Sequence, residues 1–242
     1  MTEVLGFAPR AGRRFVPFID AEAETRRESA DETPRLSPLL SLVHAPTGAA
    51  AESIRAIRTA LMAASFARGG GFALVAARAG QGASVLAANL ALAFAQVEIR
   101  TLLVDANLRR PGLSALFGLS ARREGLAECL ARREEDAALA REVAPNLAVV
   151  PAGAPPPNPV DLIASKFFEG LAARWAREFD LVIYDAPAAL ACAETALIAA
   201  RAGAAVIAAR LHAARFDDVR RVSADLRAHG CAITGVVGAG CG

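Results

Sequence analysis

The stretch GFALVAARAGQGASVLAANLALAFAQV, residues 71–97, combines a strand, a glycine loop and a helix. Residues 71–77 are an uninterrupted apolar run of strand length, the mark of a strand buried on both faces. Residues 84–97 are apolar nearly all round, so a helix built from them belongs inside the protein. Between the two, ARAGQGAS spaces Ala77, Gly82 and Ser84 as in a phosphate-binding loop of the form G/A-x-x-x-x-G-K-S/T. Such a loop wraps phosphate oxygens with backbone N–H groups at a helix N-terminus. Ala83 stands where the loop lysine belongs. A lone glycine turn between strand and helix needs no ligand, so the loop points to the fold before it points to a function.

The same alternation continues outward. Apolar runs at 101–106, 146–152, 180–186, 204–211 and 232–238 predict further strands, and segments near 123–143, 159–178, 193–201 and 215–229 predict helices between them. A helix over AAAESIRAIRTALMAASFA precedes the first strand, with Ile54, Ile57 and Leu61 at spacings of three and four. Short strands that are apolar on both faces and alternate with helices define an α/β fold: a doubly wound, mostly parallel sheet covered on both sides. Residues 1–46 are charged and proline-punctuated and predict a flexible arm, leaving 47–242 as the domain.

Composition narrows the function classes. Hydrophobic residues make up 54%, much of it alanine, and no run approaches the ~20 uninterrupted apolar residues of a membrane span. MTEVLGFAPRAGRRF does not resemble a signal peptide. The cysteines Cys129, Cys192, Cys231 and Cys241 show no zinc or redox spacing, in keeping with a reduced, cytoplasmic chain. A net charge of +2 gives no electrostatic pull toward nucleic acid. His44, His212 and His229 have no partners at metal-ligand spacing, and Lys166 is the single lysine.

In a parallel sheet, ligands bind at the carboxyl ends of the strands. Three such ends carry candidate chemistry: AARAGQGAS, LLVDANLRRP and LVIYDAPA, the latter two with Asp105 and Asp185. A carboxylate at a strand tip, with the loop serine, is the usual holder of magnesium beside a nucleotide. ESIRAIR places Glu52, Arg55 and Arg58 at i, i+3 and i+6, which spacing alone explains as a solvated face with local ion pairs. NPVDL is explained as an Asn N-cap followed by proline at the first helical position.

Taken in order, these segments resemble the bacterial tyrosine kinases that partner polysaccharide co-polymerases, within the MinD/ParA-like P-loop group. The resemblance covers about residues 46–238. ESIRAIR is similar to that family's E-x-x-R-x-x-R helix, GQGAS to its phosphate loop and LLVDANLRRP to its second Walker motif, D-x-D-x-R. NLAVVPAGAPPPNPVDLI and LVIYDAPA follow at the family's positions. The resemblance implies a P-loop NTPase fold, subunit contacts through Glu52, Arg55 and Arg58, and an ATP or ADP site with Mg. That site would use Arg78, Gly80, Gln81, Gly82, Ala83, Ser84 and Asp185, with Ser84 and Asp185 on the metal only when nucleotide binds.

The departures fall on the chemistry. Ala83 offers no charge to the β- and γ-phosphates, and the loss of one charge-assisted hydrogen bond predicts about ten- to a hundredfold weaker binding. Asn107 replaces the second carboxylate of D-x-D and cannot accept a proton. Arg109 keeps the family position, while Val85 and Ala188 replace a threonine and a proline. The sequence ends VVGAGCG, and its one tyrosine, Tyr184, lies in a predicted core strand. Ala83, Asp105, Asn107 and Arg109 therefore read as vestigial catalytic positions, with Arg78 either an exposed loop arginine or a substitute charge.

The expected function is a catalytically impaired, kinase-like accessory protein in exopolysaccharide synthesis and export. It would be oligomeric through the Glu52 helix and held at the inner membrane by a co-polymerase or a paralogous kinase. The alternatives are a weak kinase or ATPase acting on a partner in trans, and a MinD/ParA-like positioning ATPase.

Overall fold

The computed structural model describes residues 36–63, 70–120, 124–134 and 139–240. The strands, in chain order, are β1 (Gly71–Ala76), β2 (Thr101–Asp105), β3 (Arg141–Ala144), β4 (Leu147–Val150), β5 (Leu181–Asp185), β6 (Ala204–Arg210) and β7 (Ala232–Ala239). The helices are α1 (Ser41–His44), α2 (Ala49–Ala63), α3 (Ala83–Ala95), α4 (Leu113–Leu116), α5 (Leu126–Arg132), α6 (Pro159–Ala164), α7 (Lys166–Glu178), α8 (Glu194–Ala202) and α9 (Phe216–Ala228).

Among the described residues the strands form one sheet in the order β3-β4-β2-β5-β1-β6-β7, parallel everywhere except between β3 and β4. β1 lies inside the sheet, between β5 and β6, so both of its faces must be apolar. Phe72 and Leu74 pack with α3, while Ala73 and Val75 pack on the opposite side with α7, α8 and α9. The doubly wound architecture expected from the apolar runs is present, and α3 is buried along ten of its residues.

Three expectations are corrected. The helix expected over 123–143 covers only Leu126–Arg132 of the described residues, and Arg141–Ala144 is an antiparallel edge strand. Asn146 turns the chain there with a φ of 62°, a left-handed conformation that Asn tolerates, and this makes β3 and β4 a hairpin. The helix expected over 159–178 breaks at Ser165, whose extended backbone ends α6 and whose hydroxyl accepts from Phe168 N–H to cap α7. Asn158 does occupy the N-cap before Pro159, yet its side chain makes no capping bond, so proline alone accounts for that start.

The flexible arm expected over 1–46 lies mostly outside the described residues, as do positions 64–67 of the first helix. Its last part is no arm. Leu40 and Leu42 are buried against α3, and Asn89, itself buried in α3, accepts from Ser41 Oγ and donates to the Leu39 carbonyl. Apolar burial and a satisfied buried amide together hold this segment on the domain. Among the described residues no helix is long and apolar enough to cross a membrane.

Candidate functional site

The carboxyl ends of β1, β2 and β5 open into one cleft of about 740 Å³. Its walls are the 76–85 loop, Asn107, Arg109 and Arg110 after β2, and the 186–192 segment after β5. The sheet order puts these three strands side by side, so the three motifs separated in sequence share one site.

The loop has the backbone of a phosphate cradle. Gly80 and Gly82 take φ values of 79° and 83°, and a Cβ on either would meet no atom within 4 Å. Conformation therefore requires glycine there, and the space above the loop stays open for a ligand. Gly82 caps α3, leaving the first-turn N–H groups without intrahelical acceptors. Gln81 is buried, and its Oε1 accepts from Arg78 N–H at 3.3 Å, closing the loop on itself.

Asp105 and Asp185 are partners in the β2–β5 register and both are fully buried. Strand alternation sends each to the α3 face, following Leu103 and Ile183. One Asp105 oxygen accepts from Gly112 N–H (3.1 Å) and Leu113 N–H (3.0 Å). The other Asp105 oxygen and both oxygens of Asp185 accept no hydrogen bond of normal geometry, although the Asn107 N–H and the Ser84 hydroxyl lie close to them. Burial pushes the Asp105 carboxyl up to about 6, against the pull of the Leu113, Gly112 and Asn107 N–H groups. Burial, and then the neighbouring Asp105, push Asp185 well above the usual carboxylate range, with the Ser84 hydroxyl opposing.

Three arginines, Arg78, Arg109 and Arg110, line the cleft, and two of them are held by acids from other helices. Arg78 does not lean over the loop: its Nε and Nη2 bind Asp218, in the first turn of α9, at 2.6 and 3.1 Å. Arg109 binds Glu194, the buried first residue of α8, at 2.6 and 3.4 Å. Asn107 spends its side-chain oxygen on Arg110 N–H (3.2 Å), a local turn contact. Ala83 contributes only its backbone, and Lys166 lies exposed on α7, paired with Glu169. Asp218 and Glu194 were missed in the sequence. An acidic residue in a first helical turn is readable there, but its partner 140 or 85 positions away is not.

Of the expected interface residues, Arg55 pairs with Glu52 and donates to the Pro46 carbonyl. Arg58 instead turns inward and donates to the Ala93 carbonyl near the end of α3.

The donor set fits a hard divalent cation. Two carboxylates and the Ser84 hydroxyl converge on one face, three carboxylate oxygens lack a hydrogen bond of normal geometry, and the glycine loop adjoins them. Among the described residues no group of three acidic, histidine or cysteine side chains could hold a metal ion, so water or a ligand would complete the coordination.

A glycine loop from an inner strand of a parallel sheet, facing acids at two neighbouring strand tips, defines a P-loop NTPase fold of the MinD type. The chain belongs to the family described as cellulose biosynthesis protein BcsQ, which matches residues 71–217, more than half of its length. Its homologues are bacterial tyrosine kinases. It is 32% identical to tyrosine-protein kinase Wzc of Salmonella typhimurium over 194 residues, 79% of this chain and 27% of Wzc. The kinase domain of the Escherichia coli tyrosine kinase ETK superposes with a TM-score of 0.81 at 27% identity, covering 92% of this chain and 87% of that one. MinD of Pyrococcus horikoshii, solved with Mg-ADP, shares the fold at a TM-score of 0.59 and 20% identity, over 69% of each chain. The chain thus spans under a third of Wzc, and a far larger share of the isolated kinase domain.

Proposed function

We propose that this protein is a catalytically impaired, tyrosine-kinase-like accessory factor in exopolysaccharide synthesis and export. It acts by docking to a membrane co-polymerase or a paralogous kinase, at the inner membrane and from the cytoplasmic side. The observation that carries this reading is the composition of the cleft. The glycine cradle and Ser84 remain in its lining with both strand-tip acids buried beside it, but the loop lysine is replaced by Ala83 and the cleft arginines Arg78 and Arg109 are held by Asp218 and Glu194. The BcsQ family description supports a place in polysaccharide production, and the likeness to Wzc and ETK supports the kinase ancestry.

Within the cleft, the loop N–H groups and the start of α3 would hold the phosphates of ATP or ADP. Ser84 and Asp185 would hold magnesium. When bound, that ion neutralises phosphate charge and polarises the transferring group. Ala83 supplies no counter-charge for the transition state. Asn107 cannot take a proton from a hydroxyl. Both losses reduce transfer more than binding, because charge develops most in the transition state. Glu52 is exposed on α2 and would face a neighbouring subunit together with the half-buried Arg55 that it pairs with, while Arg58 contributes through the packing of α2 on α3.

The test is a titration of the purified chain with a fluorescent ADP analogue and magnesium. We expect a dissociation constant of roughly 100 μM or weaker, tightened about ten- to a hundredfold by Ala83→Lys. Micromolar binding lost in Ser84→Ala or Asp185→Ala would overturn the impairment. One observation favours a second reading, a weak kinase acting in trans: Asp105, near 6, titrates close to neutral pH and keeps one oxygen without a hydrogen bond of normal geometry. Phosphotyrosine on a co-expressed co-polymerase that disappears with Asp105→Asn supports that reading over the first.

A further inference from the structure

We propose that Arg110 is the anion-anchoring residue of the cleft, a guanidinium that takes the phosphate groups of a nucleotide or pyrophosphate in place of the missing loop ammonium. The inference rests on the reading of the cleft as a weakened phosphate site, and not on the docking role.

Arg110 is the second arginine of NLRRP, one position beyond the D-x-D-x-R pattern, and it lines the cleft with Arg78 and Arg109. These arginines differ in what they are free to bind. Arg78 gives Nε and Nη2 to Asp218, and Arg109 gives the same two atoms to Glu194. Arg110 is exposed on the loop between β2 and α4, and no acidic side chain among the described residues pairs with it. The residue that holds its backbone is neutral as well: Asn107 Oδ1 accepts from Arg110 N–H at 3.2 Å. A carboxylate at position 107 would set a negative charge at the foot of this guanidinium, and the amide sets none.

The loop also aims the side chain. Beyond the Asn107 contact, Gly112 and Leu113 tie the loop down by donating to Asp105 at 3.1 and 3.0 Å. Pro111 restricts the backbone of the arginine before it. Gly112 lies against the start of α3, where a Cβ built on it would sit 3.6 Å from Ser84 Oγ. Two residues span at most about 7 Å, so the Arg110 backbone stands beside the end of the phosphate loop. Its charge also reaches the wall formed by residues 186–192. Burial and then Glu194 raise the Cys192 thiol there, and Arg109 and Arg110 oppose them. The ligand class follows from the group. A guanidinium is a planar fork that stays charged and matches pairs of phosphate oxygens.

The experiment titrates a fluorescent ADP analogue with magnesium into the full chain, with inorganic pyrophosphate as a competitor. We expect Arg110→Gln to weaken both about tenfold, and Arg177→Gln, exposed on α7, to change neither. Arg110→Lys keeps the charge without the fork and should return affinity to within about threefold of native. In an Ala83→Lys background, Arg110→Gln should cost no more than about twofold, because the ammonium takes over the same oxygens. Circular dichroism on each variant verifies the fold. Native affinity in Arg110→Gln, in a chain whose binding is lost with Ser84→Ala, overturns the inference and leaves the phosphate reading standing. An equal loss in both backgrounds also overturns it, since Arg110 would then act by attraction at a distance. No saturable binding up to about 10 mM by either the native chain or Ala83→Lys removes the phosphate reading itself, and the inference with it.

Discussion

The buried layer beneath the cleft, called its floor below, and the rim around it handle charge in opposite ways. On the floor, Asp105 and Asp185 are buried side by side with three oxygens accepting no hydrogen bond of normal geometry. On the rim, Arg78 and Arg109 are each held by two contacts to a carboxylate from a following helix, Asp218 or Glu194. The protein thus has acids and bases around one cavity, but its rim bases neutralise acids supplied by α8 and α9 rather than those on the floor. In a working phosphoryl-transfer site the cations converge on the ligand. Here two of them serve as structural ties, joining the β2–α4 loop to α8 and the phosphate loop to α9.

The largest expected effect breaks the floor. Asp105 is raised in the folded state to about 6, and Asp185 is raised further in the same direction. Below the unfolded carboxylate range, near pH 4, both states are protonated. As pH rises, the unfolded chain ionises first, so stability falls until the folded pKa is passed. Asp105 alone accounts for about 2–3 kcal/mol, with its pKa near 6. Glu124, Glu169 and Asp218, held low by Arg132, Lys166 and Arg78, act oppositely and lose stability as pH falls. The informative quantity is therefore the difference between the native chain and Asp105→Asn/Asp185→Asn. Urea unfolding in chelator at pH 3 and pH 7.5 should show the double variant gaining at least about 2–3 kcal/mol relative to the native chain at the higher pH. An equal difference at both pH values would mean that these acids carry no uncompensated charge.

The next effect breaks the rim. Removing Arg109 leaves the Glu194 carboxylate, 1% exposed, without its partner. Arg109 is itself 44% exposed, so water screens part of the loss, and we expect Arg109→Ala to destabilise by about 2 kcal/mol. Glu194→Gln should cost less, because the amide keeps one hydrogen bond and the exposed guanidinium turns to solvent. Thermal unfolding of the two variants checks the order. Equal melting temperatures for both and the native chain would show the tie to be incidental.

How much of this was legible follows from the range of each interaction. The sheet was readable because alternation is local: Phe72, Ala73, Leu74 and Val75 declare two buried faces within four residues. The floor was readable too, because Asp105 and Asp185 each end an apolar strand. Arg141–Ala144 was hidden, since a four-residue edge strand carries little pattern of its own and depends on the Asn146 turn. The break at Ser165 was hidden because a serine inside helical periodicity can point to solvent or cap a new helix. The rim ties were invisible in principle. Arg78 and Asp218 lie 140 positions apart, and nothing near either residue names the other.

That pair offers the finest test of the contrast. Asp218 holds the only side-chain cation of the phosphate loop, so a phosphate group and this carboxylate are competitors for the same guanidinium. Asp218→Asn should therefore tighten pyrophosphate or ADP binding about threefold at low salt. Removing a negative charge near an anion site would do something similar without any release of Arg78, so the single variant does not decide. The double-mutant cycle does: in an Arg78→Gln background, Asp218→Asn should change affinity far less if competition is the cause. The gain should also shrink in about 0.5 M salt, where exposed charges are screened. An undiminished gain in the Arg78→Gln background would assign the effect to general electrostatics, and the rim would then tie the loop to α9 without controlling what the loop can bind.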